Sequence, residues 1–106
     1  MRVRVTTTFG LPDGVNAEVA RNLLADALAA EGRLSVRAAA TRALVDTKSG
    51  VIGLSLVMEA STWEQVERES TRMTDRAVTI ASTQLEGDTA VQLLRAAVTS
   101  VELRPA

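Results

Sequence analysis

The sequence contains no histidine, no cysteine and no tyrosine. Those absences remove the imidazole base, the thiolate nucleophile, the phenol acid and the usual zinc ligands together. No disulfide can form, and a small cysteine-free chain fits the cytoplasm without requiring it. Aromatic residues are nearly missing as well, with Phe9 and Trp63 the only two. Neither sign of charge dominates: 12 basic against 13 acidic residues leave a formal net charge of −1. That balance gives no electrostatic footprint for nucleic acid or an anionic membrane. No apolar run approaches the roughly 18–20 residues of a membrane helix; the longest, Val51–Met58, is interrupted by Gly53 and Ser55. Met1–Thr8 lacks the apolar segment of a secretory signal. Lys48 is the sole lysine, and with abundant Ala, Val and Arg this is the bias of GC-rich bacterial coding.

What is present suffices for one folded domain over residues 1–106. Hydrophobic residues make up 46% and charged residues 24%, the balance of a globular chain with one modest core. Residues 2–9 alternate, with Val3, Val5, Thr7 and Phe9 on one face and Arg2, Arg4, Thr6 and Thr8 on the other. Period two with β-branched residues predicts a half-buried strand. Gly10-Leu11-Pro12-Asp13-Gly14 reads as a turn, and Asn16 as the N-cap of a helix over 16–31. Val19, Ala20, Leu23, Leu24, Ala27 and Leu28 form its apolar stripe, and Gly32 stands where a terminating glycine would.

Alternation returns from Leu34 to Val45, placing Leu34, Val36, Ala38 and Ala40 opposite Ser35, Arg37, Ala39 and Thr41. Its phase blurs near Arg42–Val45, the mark of a bulge or bend. Asp46–Gly50 is a hairpin connection. In the strand that follows, Ile52, Leu54, Leu56 and Met58 face inward. Ser61 and Glu64 have capping-box spacing. Trp63, Val66, Ser70, Met73, Ala77 and Ile80 then mark a helix of about five turns. Gln84–Asp88 reads as a loop, residues 88–96 as helix or strand, and Ala97–Arg104 as a last strand ended by Pro105.

The order β-α-β-β-α-β predicts a ferredoxin-like α+β sandwich: a four-stranded antiparallel sheet in the order 4-1-3-2, with two helices on one face. Its core should hold Val3, Val5, Leu23, Leu24, Leu28, Ile52, Leu54, Leu56, Met58, Trp63, Val66 and Met73. The fold serves enzymes, RNA readers, sensors and oligomerisation domains, so it assigns no function. RNA readers of this fold stack bases on aromatics of the two central strands. The outward positions here carry none, which argues against nucleic acid.

The catalytic inventory is thin. Hydroxyls such as Thr6-Thr7-Thr8 have no histidine beside them, and Glu64 and Glu67 lack the histidine of a di-metal motif. No calcium loop or phosphate loop is present. No catalytic residue, metal or cofactor is therefore expected. Arg68, Arg72 and Arg76 share one helix face, but Glu64, Glu69 and Asp75 stand at pairing distance, as on a solvated helix surface.

Two resemblances bear on a ligand. The Gly10–Gly14 loop before the first helix resembles the ligand loop of ACT-type amino-acid sensors, where backbone amides at the helix start approach a carboxylate. The element order also resembles that of cofactor-free dimeric α+β-barrel enzymes, which oxidise or cyclise aromatic substrates in a pocket between helices and sheet; Trp63 with Asn16 or Asn22 is all this chain could bring to one. These resemblances imply a pocket around Gly10, Gly14, Asn16 and Trp63. The reading favoured by composition is different: a non-catalytic, self-associating structural or regulatory protein, with the small-molecule site as its alternative. Self-association is expected through the outer sheet face, where Thr6, Thr8, Ala39, Gly53, Ser55 and Val57 leave a low surface for a second copy. Arg2 and Arg4 should meet Glu59 and Glu102 at one end of that face. Pairing through the edge at Ala38–Ala40 is the competing mode.

Overall fold

The computed structural model describes residues 1–10, 16–46, 48, 50–85 and 98–105. The elements are β1 (Arg2–Gly10), α1 (Ala17–Leu34), β2 (Ala38–Asp46), β3 (Val51–Glu59), α2 (Trp63–Leu85) and β4 (Val98–Pro105). Every strand pair is antiparallel, in the order β2-β3-β1-β4, so the ferredoxin-like arrangement holds. The alternation in β1 sends Val3, Val5 and Phe9 to the helix side, opposite Met58, Leu56 and Ile52 of β3. With Leu24, Leu28, Val66, Met73 and Ala77 from the helices, they form one buried cluster. Among the described residues, no helix is long and apolar enough to cross a membrane.

The sheet ties its lower end to the chain start. The Met1 ammonium donates to the Ala60 carbonyl at 2.6 Å, and the Ala60 amide donates to the Met1 carbonyl at 3.0 Å. Gly50, at φ 66, supplies the left-handed turn between β2 and β3 that a Cβ would strain.

Several expectations are corrected. Gly32 does not end α1, which runs to Leu34; Ser35 is the C-cap, in extended conformation. Gly32 packs closely instead: a Cβ on it would lie 3.0 Å from the Thr41 methyl of β2, which would have to give way slightly. Val19 lies off the buried stripe of α1 and is half exposed. The N-cap hydroxyl of α2 belongs to Thr62, not Ser61: Thr62 Oγ1 accepts from the Gln65 amide at 3.2 Å, and Gln65 Oε1 accepts from the Ser61 amide at 2.9 Å. Trp63, at the first turn, is 49% exposed and outside the core.

The largest correction is in the second strand. It begins at Ala38, so Leu34 and Val36, 78% and 99% exposed, precede it in the connection. The ladder shifts between Ala38 and Ala40, leaving Ala39 at the bulge. From there the phase is inverted relative to the simple alternation. Thr41, Ala43 and Val45 pair with the inward Leu56, Leu54 and Ile52; Ala40, Arg42 and Leu44 pair with the outward Val57, Ser55 and Gly53. One inserted residue turns every later side chain to the other face.

Gln84 and Leu85, expected in a loop over Gln84–Asp88, belong to α2; the rest of that expected loop, like the open assignment of 88–96, lies outside the described residues.

Candidate functional site

The sheet is covered by helices on one face only, so the outer face is the largest surface on which the fold presents strand side chains. Its rows follow from register. Arg2 stands beside Glu59. Next come Arg104, Arg4, Val57 and Ala40, and then Glu102, Thr6, Ser55 and Arg42. The last full row, towards the hairpin, holds Thr8, Gly53 and Leu44. The charged side chains therefore crowd the lower half and leave the upper half low. Gly53 is partly exposed with open space above it, and Leu44 is 51% exposed.

A cleft of about 360 Å³ crosses this face, lined by Arg4, Thr6, Arg42, Leu44, Ser55 and Val57 among others. Val57 is its floor, only 8% exposed although its register position faces outward. Of the expected interface residues, Thr6, Thr8, Gly53, Ser55 and Val57 share this face. Ala39 sits exposed on the bulge, and Ala40 takes the place expected for it. Arg42 and Leu44 were missed because the bulge position is invisible in an Ala-Ala-Ala run.

Neutralisation of the face is incomplete. Arg2 and Glu59 pair at 3.9 Å, both well exposed, as expected. Glu102, however, pairs with Arg104 of its own strand. Arg4, expected near Glu102, lies beside Arg104 and Val57 instead.

The residues singled out for a pocket do not come together. Gly10 ends β1 opposite Val51, at the upper end of the sheet. Asn16 caps α1, its Oδ1 accepting from the Val19 amide at 3.1 Å. Trp63 follows the Met1–Ala60 contacts at the lower end. A nine-residue strand separates the two ends, about 27 Å at the strand rise. Gly14 lies outside the described residues. Among the described residues, the hydroxyls buried on the helix side are Thr7 of β1 and Ser70, Thr74 and Ser82 of α2. Ser82 spends its proton on the Val78 carbonyl, 2.5 Å away. Among the described residues, no cluster of acidic side chains could hold a metal ion.

The α2 arginines are paired, and their partners reach further than the helix. Arg68 meets Glu64 at 2.6 Å on the surface. Arg72 meets Glu69 at 2.6 Å and Glu31 of α1 at 3.6 Å, and Arg76 Nε donates to Glu31 at 3.0 Å. Glu31 is 3% exposed. A signal for it existed: Glu31 continues the stripe of Ala20, Leu24, Ala27 and Leu28, and a carboxylate there requires cations on the facing helix.

Ser35 Oγ donates to Glu69 at 3.1 Å, extending the network to the end of α1. The Arg72 hydrogen bond, opposed by partial burial, holds the Glu69 carboxyl below its ordinary range, and the same bond raises Arg72. A carboxyl lowered in the folded state adds stability above its unfolded pKa and loses it as pH falls through the folded one. The stability difference between wild type and Glu69→Gln should therefore be present at pH 7 and shrink below about pH 4.3, the free glutamate value. Urea denaturation of both proteins at pH 7 and pH 3 measures it; a difference independent of pH contradicts the pairing.

No protein-family model matches the sequence, and no curated protein matches it significantly. Solved structures do. A Chloroflexus aurantiacus protein assigned as an antibiotic biosynthesis monooxygenase is similar at 15% identity, TM-score 0.57, over 100% of this chain and 93% of that one. SnoaB, a cofactor-independent oxygenase from Streptomyces nogalater, is similar at 14% identity, TM-score 0.57, over 99% and 92%. A Bacteroides fragilis protein of unknown function, described as dimeric and ferredoxin-like, is similar at 14% identity, TM-score 0.54, over 97% and 92%. The likeness is one of fold. It spans whole chains, so the β-α-β-β-α-β sandwich of this protein is the one those monooxygenase-type structures share.

Proposed function

We propose that this chain is a homodimeric α+β-barrel protein that binds a small molecule, in the manner of cofactor-independent oxygenases, with its outer sheet faces packed together. The observation that carries the reading is the outer face itself: a sheet without helices on one side, with Thr6, Thr8, Gly53 and Ser55 at its centre and Leu44 half exposed. Water-facing strands normally carry long-stemmed side chains that cover the sheet. A low, semi-apolar centre suits a second sheet at about 10 Å, and two-fold pairing is the commonest closed symmetry. The Bacteroides fragilis structure, described as dimeric and similar in fold, supports a two-chain assembly.

The small-molecule part is supported by the likeness to SnoaB and to the Chloroflexus aurantiacus protein. It fits a chain without histidine, cysteine or tyrosine. Such a chain offers few acid–base groups, so reactivity would rest with the bound molecule and the protein would act by orienting it. A dimer with structure but no ligand, the reading that composition alone favours, is the second reading; the low centre of the sheet serves it equally.

Leu44→Arg tests the interface. Leu44 is already half exposed, so an arginine there leaves the monomer fold intact while placing charge in the proposed contact. Light scattering should show the variant at about half the wild-type mass with an unchanged circular dichroism spectrum. An unchanged mass would move the interface to the β2 edge or the helices.

A further inference from the structure

We propose that the outer-face cleft binds an organic carboxylate with an apolar body, held by Arg4 and Arg42. The first observation is a charge imbalance. Of the described charged side chains on this face, Arg2 is paired with Glu59 and Arg104 with Glu102. Arg4 and Arg42 are left with no carboxylate partner among the described residues, and both line the same cleft.

The second observation is their placement. Arg4 is on β1 and Arg42 on β2, with β3 between them. They occupy successive outward rows, so Arg4 flanks Val57 while Arg42 flanks Ser55. Two inter-strand spacings and one side-chain repeat put their backbones about 12 Å apart. Two arginine stems are long enough to span that distance between them, and a planar carboxylate fits a guanidinium fork by paired hydrogen bonds.

The rest of the lining fits the rest of such a molecule. Thr6 and Ser55 place hydroxyls in the row with Arg42, while Val57 is an apolar floor and Leu44 an apolar wall. The volume, about 360 Å³, falls in the range of small-molecule sites. The site rests on the dimer reading in one respect: a second sheet closing over two unpaired guanidiniums per chain removes them from water without compensation. A bound carboxylate supplies the missing charge, so ligand and self-association reinforce one another.

Isothermal titration calorimetry with benzoate, benzamide and inorganic phosphate tests the site, with sedimentation equilibrium run on the same samples. Benzoate should bind, and benzamide, which lacks the charge, should bind at least about tenfold more weakly. Arg4→Gln and Arg42→Gln, both at exposed positions, should each weaken benzoate by about tenfold or more. Benzoate should also raise the dimer fraction. A dimer whose benzoate affinity is unchanged in both variants overturns the carboxylate site and leaves the interface standing. A monomer that binds benzoate through both arginines keeps the site and removes the interface. Phosphate binding as tightly as benzoate would overturn the apolar half of the assignment, and no heat with any probe would overturn all of it.

Discussion

Leu54→Ala is expected to cost about 2–5 kcal/mol. Leu54 lies at the centre of β3, 1% exposed, paired with Thr7 of β1 on one side and Ala43 of β2 on the other. It projects into the layer where the sheet meets Leu24, Leu28, Val66 and Met73. Neighbours fixed by two strand ladders cannot collapse into the space a truncated leucine leaves. The loss therefore includes a cavity as well as the transfer of the removed carbons. A domain of this size holds about 5–15 kcal/mol in all, so the variant should be visibly destabilised in urea. Ser55→Ala, one residue along on the opposite face, should change stability by less than about 0.5 kcal/mol. Equal effects at the two positions would mean that the strand faces are assigned wrongly.

The double variant Arg72→Ala/Arg76→Ala should lose a comparable amount, about 3–5 kcal/mol. Both arginines approach the Glu31 carboxylate, at 3.6 and 3.0 Å, and Glu31 is 3% exposed between the helices. Removing the cations leaves a carboxylate in the α1–α2 interface with no charge to balance it. The reverse substitution is not symmetrical. Arg72 and Arg76 keep 46% and 61% of their side chains exposed and can return to water when Glu31 is replaced. Glu31→Leu, which extends the apolar stripe of α1, should therefore cost little. Thermal or urea denaturation of the three proteins decides the matter; a double variant as stable as wild type would show that Glu31 is solvated.

The difference between what alternation revealed and what it concealed has a physical basis. In β1 and β3, valine, leucine and isoleucine alternate with threonine, serine, arginine and glycine, and period two is written in side chains that strongly prefer one side of the boundary. Residues 34–45 contain four alanines and threonines in a row, Ala38 to Thr41. Alanine pays little on either face, so the bulge at Ala39 leaves no trace in the pattern, and the facing of Arg42 and Leu44 could not be assigned. Leu34 and Val36 misled for the opposite reason: they are strongly apolar yet exposed, and they suggested a strand where there is a connection. Gly32 reads as a terminating glycine, yet α1 continues past it; what the structure shows there is a tight approach to a threonine methyl on another element.

The candidate site divides in the same way. The outer-face residues on β1 and β3 were legible because those strands were. The arginine pair was not, since Arg42 reaches the face only through the bulge. Trp63 drew attention by rarity, but rarity of a residue type says nothing about where the chain places it. Glu31 was legible in principle, as a charge inside an apolar helical stripe.

The central claim is that two copies meet through their outer sheet faces, and the most direct test is the mass of the protein in solution. Sedimentation equilibrium across about 10–100 μM, the range that reports micromolar affinity, should give twice the 11.3 kDa chain mass for the wild type and the monomer mass for Leu44→Arg. A wild-type protein that remains monomeric across that range contradicts the claim.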